Sequence, residues 1–386
     1  MLKSKKYEKT FTVGILGGGQ LAKMMALDVY RLGLEVAIIE NGTNSPAGDM
    51  TKLEFTEGWH NKRNLDDFIN ASDIITLENE FIEPEILEYI ANFVDVFPSA
   101  KTMRLVQDKF NQKTVFSENH IPVPDFASID TIEEAYQFGE RFGYPFLIKT
   151  RTLGYDGYGN YSVKNTDDIS TAFAKFTLNG KQRKLMAERF INFKRELAVM
   201  VARSLSGEIA VYPVVETIQE NHICKVVLAP ADISEEQQSN AQKIAIKCVE
   251  SIDGIGVFGI EMFEDSNGKI LVNEIAPRPH NSGHYTIEAC RTSQYENVIR
   301  AITGLPLGST EMITPAACMV NLLGERDGIG IPTDISKVLS YGNIKLHLYN
   351  KKTSRKGRKM GHVTALGKTT KEAYDIAMSA AQSIIW

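Results

Sequence analysis

The sequence has few cysteines, no long apolar run and no large excess of either charge. Only four of its 386 residues are cysteine and none forms a C-x-x-C pair, which argues against a disulfide scaffold and predicts reduced thiols in a cytoplasmic protein. No apolar run approaches the roughly 18 residues of a membrane span, and the basic first residues lack the apolar core of a signal peptide. A net charge of −5 gives no reason to expect nucleic acid or an anionic membrane as a partner. The cysteines are Cys224, Cys248, Cys290 and Cys318.

One predicted hairpin carries two carboxylates in otherwise apolar strands. Asn267-Gly268 separates the apolar runs Val257–Phe263 and Ile270–Ile275, and this dipeptide favours a two-residue type I′ turn. That register pairs Glu261 with Glu274, with Cβ atoms roughly 4.5–5.5 Å apart, and opposed like charges destabilise a sheet unless a cation lies between them. Because Mg²⁺ binds through one or two carboxylates plus substrate phosphates, the pair predicts a metal–nucleotide site. The alternative is a solvated hairpin face.

Anion-binding groups follow the second carboxylate directly. The run Ala276–His284 contains an arginine, two histidines, an asparagine and a serine. Asn273 adds an amide oxygen, which is another hard ligand, just before Glu274. The predicted metal site therefore continues into a predicted anion site.

The N-terminal region has the pattern of a βαβ unit with a tight glycine turn. A strand over Phe11–Leu16, a turn and helix start at Gly17–Ala22 and a strand over Glu35–Glu40 satisfy G-x-G-x-x-A with an acid about twenty residues on. A turn without a ligand, a dinucleotide site and a site for another phosphate ester all remain open. The next predicted strand runs into Glu78–Glu80, and this loop should share a crevice with Gly17–Gln20.

A lysine, a glycine loop and two glutamates follow in the middle of the chain. Lys149 closes an apolar strand, which is a costly place for an ammonium group unless an anion meets it. The segment Thr152–Asn160 contains three glycines and could close its N–H groups over phosphates, although it lacks the Gly-Lys-Ser/Thr of a Walker A loop. A plain flexible hairpin is the alternative. Glu188 and Glu196 lie in two further predicted strands.

A block of basic residues lies near the C-terminus. Between Gly342 and Lys368 the chain has eight lysines and arginines and no acid, whereas the whole protein is net acidic. The block predicts an anionic ligand, or else a solvated basic edge.

Taken together, these motifs resemble the ATP-grasp superfamily. Within it the chain is similar to the ATP-dependent 5-(carboxyamino)imidazole ribonucleotide synthases of purine biosynthesis, in stretches that keep the family's order over nearly the whole chain. The most specific match is the run from Asn273 to His284. The matching stretches are Gly17-Gly-Gly-Gln-Leu21, Gln107-Asp-Lys109, Gly154–Asn160, Asn273–His284 and Arg358–His362.

The resemblance implies a mixed α/β and α+β architecture, the ATP-grasp fold. It predicts a flexible tail over residues 1–10, a Rossmann-like (pre-ATP-grasp) N-terminal domain over 11–110, an ATP-grasp domain over 111–308 with a lid at about 120–190, and a small β-rich C-terminal domain over 309–386. It also implies a cytoplasmic homodimer.

The resemblance further assigns site residues. Those implied for ATP are Lys109, Lys149, Gly154, Tyr155, Asp156, Gly157, Tyr158, Gly159, Asn160, Glu188, Arg189, Phe190, Ile191, Glu196, Gln219, Asn273 and Glu274, with Glu261 and Glu274 as Mg²⁺ ligands. Among them, Glu188 to Ile191 match the hinge that hydrogen-bonds adenine. Those implied around bicarbonate and the aminoimidazole are Tyr155, Asp156, Arg278, His280, Asn281 and Ser282, with Asp156 as the candidate acceptor of the amine proton. Those implied for the ribonucleotide are Gly19, Gln20, Leu21, Glu78, Lys352 and Arg358. The chain departs from its relatives at Gln219, where they carry a histidine; His222 follows three residues later.

The implied reaction uses ATP and bicarbonate to carboxylate the exocyclic amine of 5-aminoimidazole ribonucleotide through carboxyphosphate, with Mg²⁺ as cofactor. A formate-dependent glycinamide ribonucleotide transformylase is a rival with the same fold. An NAD-dependent dehydrogenase would explain Gly17–Glu40 but leaves Glu261 and Glu274 without a role. A non-catalytic nucleotide-binding module would require these glutamates or Lys149 to be missing.

Overall fold

The computed structural model describes residues 10–154, 159–178 and 181–386. The predicted tail falls almost entirely outside these residues. The described part has the expected α/β and α+β content, in an N-terminal unit, a small antiparallel unit and one large antiparallel sheet.

The N-terminal unit is an open parallel sheet flanked by helices. Its elements are β1 (Thr12–Leu16), α1 (Gln20–Arg31), β2 (Glu35–Ile39), β3 (Leu53–Phe55), α2 (Lys62–Ala71), β4 (Ile74–Leu77), α3 (Pro84–Ala91), β5 (Val96–Phe97) and α4 (Ala100–Gln107). The strand order is β3-β2-β1-β4-β5, and β1 and β4 are fully buried. The loops after β1 and β4 therefore meet at the carboxyl edge of the sheet, where ligands of such folds bind.

The second unit is a four-stranded antiparallel sheet packed against helices. Its elements are α5 (Lys109–Glu118), β6 (Phe126–Ile129), α6 (Ile132–Phe142), β7 (Phe146–Thr150), β8 (Asn160–Val163), α7 (Asp167–Lys175), β9 (Thr177–Leu178), β10 (Lys181–Gln182) and β11 (Leu185–Arg189). The order β6-β11-β7-β8 brings Lys149 on β7 opposite Met186 on β11, beside Glu188.

The large sheet contains the carboxylate hairpin. Its part of the chain comprises β12 (Phe193–Arg203), β13 (Ile209–Val211), β14 (Val215–Glu220), β15 (Ile223–Ala229), α8 (Glu235–Ser251), β16 (Gly256–Asp265), β17 (Ile270–Ala276), α9 (Thr286–Ala289) and α10 (Gln294–Thr303). A capping box between Ser234 and Gln237 starts α8, which packs on β12 and β17.

The C-terminal strands extend the same sheet. The elements of this part of the chain are β18 (Ala316–Leu323), β19 (Gly328–Ile329), α11 (Ser336–Leu339), β20 (Ile344–Leu348), β21 (Thr353–Ser354), β22 (Lys359–Gly367) and α12 (Thr370–Gln382). Of these strands, β18, β22 and β20 join the large sheet. The order β17-β16-β12-β14-β15-β18-β22-β20 is continuous because Val226 on β15 pairs with Val320 on β18. The domain boundaries stay predictions.

The predicted two-residue turn at Asn267-Gly268 is wrong. Asp265 pairs with Lys269, and of the turn residues only Gly268 is left-handed, at φ +80°. This is a three-residue loop, in which a left-handed glycine closes an ordinary turn, and the Asp265 carboxylate accepts hydrogen bonds from the N–H groups of Asn267 and Lys269. The type I′ geometry occurs instead at Asn221-His222, both with positive φ, between β14 and β15.

Candidate functional site

A β-bulge aims the two predicted metal ligands at each other. Glu264 pairs with Ile270 and Met262 pairs with Val272, but the next residue of β16, Glu261, pairs with Glu274. Asn273 is therefore the extra, unpaired residue of the bulge on β17. The amide of Asn273 donates to Glu261 at 3.5 Å. Glu261 and Glu274 therefore oppose each other as predicted, although the turn differs.

The carboxylate pair is only partly neutralised by protein cations. The Lys109 ammonium, at the start of α5, pairs with Glu274. Burial and the Glu274 charge raise the pKa of Glu261 to about 7. Among the described residues, no cluster of three or more histidines, cysteines and carboxylates has the geometry of a metal site. Two carboxylates with spare charge suit an ion that takes its other ligands from substrate, as Mg²⁺ does.

A buried carboxylate held by two lysines lies beside this pair. Glu188 is bound by Lys149 at 2.6 Å and by Lys113 at 2.8 Å. Burial would raise the pKa of Glu188, but the charges of Lys113 and Lys149 lower it to about 2. Lys113 also donates to the carbonyl oxygen of Asn273 at 2.9 Å. One ammonium group thus joins α5, the hinge strand β11 and the bulge of the carboxylate hairpin β16–β17, which is also called the metal hairpin.

The base of the glycine loop is fixed to α5. Arg151 at the end of β7 binds the carboxylate of Asp108 at 2.7 Å and stacks over Phe110, while Asp108 caps α5. Gly159 has φ +92°, and its carbonyl accepts from Thr150. Gly154 and Asn160 are half-buried at the two ends of the loop, and Tyr155, Asp156, Gly157 and Tyr158 lie outside the described residues.

The predicted hinge runs along the edge of the same region. Arg189 pairs with Asp125 at 3.3 Å, while Phe190 is 42% exposed and Ile191 is half-buried. On β12, burial raises the pKa of Glu196 to about 7. Gln219 is half-buried beside the turn that exposes His222, and the ligand contact of either stays a prediction.

The anion segment, which is the run Ala276–His284 predicted to bind an anion, is held in place by a second ion pair. Arg278 binds Glu80 through two nitrogens, one of them at 2.9 Å, and the Arg278 charge offsets burial to lower the pKa of Glu80 to about 2. His280 contacts Ser282 Oγ at 2.8 Å and Glu261 at 3.5 Å. Burial and the Arg278 charge lower the pKa of His280 to about 3, so its imidazole is neutral at pH 7.

The side chain of Asn281 binds to a residue of the C-terminal region. Its side-chain nitrogen donates to Asn321 at 3.0 Å, and its oxygen accepts from Asn321 at 2.6 Å. Asn281 is 8% exposed. Its geometry therefore links the anion segment to β18 of the C-terminal region.

The glycine turn after β1 binds the protein's own carboxylates. The N–H of Gly19 donates to Glu78 at 3.0 Å, that of Ala22 donates to Glu78 at 3.3 Å, and that of Gly18 donates to Glu40 at 2.9 Å. A Cβ at Gly19 would collide with the Glu78 carboxylate. The glycines thus admit Glu78; Gln20 is half-buried at the start of α1, and Leu21 is buried. Whether these residues also contact the ribonucleotide stays a prediction.

Three of the eight cations of the basic block, Lys351, Lys352 and Arg358, line a cavity of about 300 Å³. The walls of the cavity come from the loop after β2 and from the C-terminal loop around β21, so these three cations face residues 40–46. Arg358 donates to the carbonyl and hydroxyl of Thr353 at 2.7 Å each. The lining residues are Glu40, Asn41, Gly42, Thr43, Asn44, Ser45, Pro46, Lys351, Lys352, Thr353 and Arg358.

Family models match three consecutive segments of the chain. They describe a ribonucleotide synthetase preATP-grasp domain over residues 10–107, an ATP-grasp domain over 114–295 and a phosphoribosylaminoimidazole carboxylase C-terminal domain over 317–375. The N5-carboxyaminoimidazole ribonucleotide synthase of Bacillus subtilis is 35% identical over 352 residues, covering 91% of this chain and 90% of that protein. This chain belongs to the N5-carboxyaminoimidazole ribonucleotide synthase family. It is accordingly an ATP-grasp ligase of purine biosynthesis.

Solved structures of this synthase family share the fold. The Thermotoga maritima synthetase is 40% identical with a TM-score of 0.86, covering 97% of this chain and 99% of that one. The Aspergillus clavatus enzyme, in complex with ADP and 5-aminoimidazole ribonucleotide, is 36% identical with a TM-score of 0.88, covering 97% and 98%. The predicted ATP-grasp fold is confirmed, and the transformylase and dehydrogenase alternatives are not supported.

Some curated relatives are longer than this synthase chain. The phosphoribosylaminoimidazole carboxylase of Ogataea methanolica is 40% identical over 367 residues, which cover 93% of this chain and 67% of that protein. The chain thus spans about two thirds of the length of this relative, and similar shares of its counterparts in Schizosaccharomyces pombe and Candida albicans.

Lys113 is not among the predicted site residues, while the sequence predicts Lys351 only as part of the basic block and Glu80 only as part of the loop Glu78–Glu80. Lys113 lies one helical turn after Lys109, so the spacing could have indicated it. Lys351 precedes Lys352, and its ammonium is buried enough that desolvation and the Arg358 charge lower its pKa to about 8. The ion pair of Glu80 with Arg278 could not be predicted from the sequence, because the two residues are 198 positions apart.

Proposed function

We propose that this chain catalyses the ATP- and bicarbonate-dependent carboxylation of the exocyclic amine of 5-aminoimidazole ribonucleotide, releasing ADP and phosphate. The observation that carries the proposal is the continuity of two sites. The strand that carries Glu274 ends at Ala276, and the chain continues directly into Arg278, His280 and Ser282. A phosphate donor held at the pair therefore lies beside groups that can bind a small anion.

The donor set fits Mg²⁺. Glu261 and Glu274 would hold the ion, which supplies charge neutralisation to the phosphates of ATP when it is bound. Burial first and the Glu274 charge second raise the pKa of Glu261, and a bound cation would offset both effects, whereas Lys109 pairs only with Glu274. Lys109 and Lys149 would bind phosphate oxygens, as lysines do as point charges.

The proposed chemistry has two steps. A bicarbonate oxygen attacks the γ-phosphorus of ATP, the bond to the ADP oxygen breaks, and carboxyphosphate forms. The ribonucleotide amine then attacks the carboxyl carbon, phosphate leaves and the amine loses a proton. Arg278, fixed by Glu80, would bind the bicarbonate oxygens, and the neutral imidazole of His280 would accept or donate one hydrogen bond there. Asp156 remains the proposed acceptor of the amine proton.

The cavity between the loop 40–46 and the C-terminal loop would take the ribonucleotide 5′-phosphate. Lys351, Lys352 and Arg358 converge on it. Arg358 is the group suited to a bidentate contact, whereas the lysines act as point charges.

The same proposal includes a compartment and an assembly. All four cysteines are buried thiols, which fits a reducing compartment such as the cytoplasm. No described helix is long and apolar enough to cross a membrane. A homodimer is proposed from the resemblance, and sedimentation of the purified chain tests it.

A phosphate-release assay tests the reaction. The enzyme is incubated with Mg²⁺, ATP and bicarbonate, and with 5-aminoimidazole ribonucleotide, glycinamide ribonucleotide or neither. We expect phosphate release that requires the aminoimidazole for full rate, with radiolabelled bicarbonate entering the product. Phosphate release stimulated by glycinamide ribonucleotide and not by the aminoimidazole would contradict the proposal.

A further inference from the structure

Three polar side chains of the C-terminal strands meet three from the segment after the metal hairpin. The first set lies in one row across the sheet, because the register pairs β18 with β22 and β22 with β20 at this level. The second set comes from positions 281, 284 and 288, spaced by three and four residues as on one face of a helix. We call this contact the polar seam; its pairs are Asn281 with Asn321, His284 with His362, and Glu288 with His347.

Each pair makes a direct contact. Asn281 and Asn321 exchange two hydrogen bonds, and Asn321 also donates to the carbonyl of Cys224 at 2.9 Å. The rings of His284 and His362 lie 4.8 Å apart between centroids. At the outer end, His347 Nε2 donates to Glu288 at 2.7 Å, and its ring stacks on His362 at 4.4 Å and 13°.

The seam is buried along most of its length. Asn321 and His362 are 0% exposed and His284 is 1% exposed. Burial and the neighbouring histidines hold the pKa of His284 and of His362 well below the ordinary range, so both rings are neutral at pH 7. A neutral imidazole has one donor and one acceptor, and tyrosine hydroxyls contact Nδ1 of each ring at 2.8 Å. Buried groups of this kind tolerate few alternative arrangements, since a lost partner leaves an unsatisfied polar atom.

The seam lies between the two proposed substrate sites. On one side, Asn281 is flanked in the chain by His280 and Ser282, which contact each other beside Glu261. On the other side, Tyr349 contacts His362 and lies under the ammonium of Lys351, which lines the cavity proposed for the ribonucleotide phosphate.

We propose that Asn321, His362 and His347 are positioning residues for carboxylation, which hold the segment Arg278–Ser282 in register with the ribonucleotide cavity. This inference rests on the proposed function. None of the three needs to touch substrate. Their role is to fix where the bicarbonate-binding groups stand relative to the amine that captures the carboxyl group. A small displacement there would slow capture without weakening ATP binding, because reaction geometry is sensitive to shifts of about 1 Å.

The central test replaces Asn321 with leucine, which keeps the number and branching of the non-hydrogen side-chain atoms but removes both hydrogen bonds to Asn281 and the one to the carbonyl of Cys224. We expect kcat for incorporation of radiolabelled bicarbonate to fall roughly ten- to hundredfold, while the KM for ATP changes less than about twofold. We also expect the ratio of phosphate released to ribonucleotide carboxylated to rise, because carboxyphosphate would decompose before capture. A purely structural role would lower activity through the folded fraction and leave this ratio unchanged.

Two further variants keep the test informative if Asn321→Leu folds poorly. His347 is the most exposed member of the seam, at 23% of its side chain, so His347→Leu should fold. His347→Gln retains a donor for Glu288 and should keep a ratio close to wild type, whereas His347→Leu should raise it. Val320→Ala is the matched control. Val320 is as buried as Asn321, but its side chain lies on the opposite face of β18 and packs in the apolar core formed with α12.

The outcomes separate the two proposals. A wild-type enzyme that carboxylates no aminoimidazole ribonucleotide would overturn the proposed function. A wild-type enzyme that does so, with an unchanged phosphate-to-product ratio in Asn321→Leu and His347→Leu, would overturn the positioning role. A ratio raised as much by Val320→Ala would overturn it too.

Discussion

At the scale of single residues, Lys113 shows how much of the site depends on a group with no sequence motif of its own. It is 2% exposed, yet its ammonium contacts a carboxylate of the hinge strand and a carbonyl of the metal hairpin. Burial outweighs the attraction of Glu188 and lowers the pKa of Lys113. The sequence predicts Lys149 because it closes an apolar strand, whereas Lys113 is indicated only by its spacing of four residues from Lys109.

Lys113→Met should lower the free energy of unfolding by about 3 kcal/mol, at the low end for breaking a buried ion pair, because Glu188 keeps Lys149. Urea denaturation measures it. The double variant Lys113→Met/Glu188→Gln should lose further stability, because the buried ammonium of Lys149 then lacks the carboxylate that it binds at 2.6 Å. Lys101→Met is the control: its pair with Asp253 is exposed and should contribute about 1 kcal/mol or less. Equal losses in Lys113→Met and Lys101→Met would contradict this account.

Glu196 gives a prediction for pH. Its pKa is raised from 4.5 to about 7 by burial, so the folded protein binds more protons than the unfolded chain between these values. Stability contributed at this site is therefore lost as pH rises through that window. Glu196→Gln should raise the melting temperature of the ligand-free protein by about 1–2 °C at pH 8 and leave it unchanged at pH 4. A scanning calorimeter measures both; a stabilisation of the same size at the two pH values would count against the assignment.

At the scale of elements, the metal hairpin was predicted correctly at its functional end and wrongly at its turn. The apolar runs predicted both strands, and the register of the two-residue turn predicted the opposition of Glu261 and Glu274, which the structure shows. The three-residue loop shifted the register by one, and the bulge at Asn273 shifted it back. Neither the three-residue loop nor the bulge can be predicted from a single sequence, because Asn-Gly suits several turn types and a bulge depends on how the sheet packs.

The hairpin supports a direct test of the metal assignment. Glu274→Gln removes one charge from the opposed pair while keeping its shape, and it should lower ATP turnover by about a hundredfold or more. Circular dichroism should show an intact fold. Glu311→Gln, which alters an exposed pair with Arg291, is the control and should turn over ATP normally. Wild-type turnover by Glu274→Gln would remove the hairpin from the metal site.

At the scale of the whole molecule, the ribonucleotide cavity unites segments more than 300 residues apart. The eight-cation block indicated an anionic ligand, but only the fold could show that its opposite wall is the loop 40–46. Composition carries no information about which distant loop a basic segment will face. The resemblance to known synthases placed Lys352 and Arg358 in this region, and the geometry adds Lys351.

Arg358→Ala should raise the KM for 5-aminoimidazole ribonucleotide roughly ten- to hundredfold, because a charge-assisted contact is typically worth about 1.5–3 kcal/mol. The KM for ATP should stay nearly unchanged, since ATP is proposed to bind at the hairpin. Steady-state kinetics with each substrate varied in turn measures both constants. Arg326→Ala, outside the cavity, is a suitable control. Loss of ATP affinity with ribonucleotide affinity retained would place the basic block over the nucleotide instead.

The turn after β1 has a further consequence for ligand choice. Its letters match a dinucleotide fingerprint, yet Glu78 and Glu40 accept the hydrogen bonds that a pyrophosphate would need. An incoming NAD would have to expel two carboxylates and then leave them facing its own negative charge. We therefore expect this turn to select against such cofactors, because its N–H groups are already bound to carboxylates of the same chain.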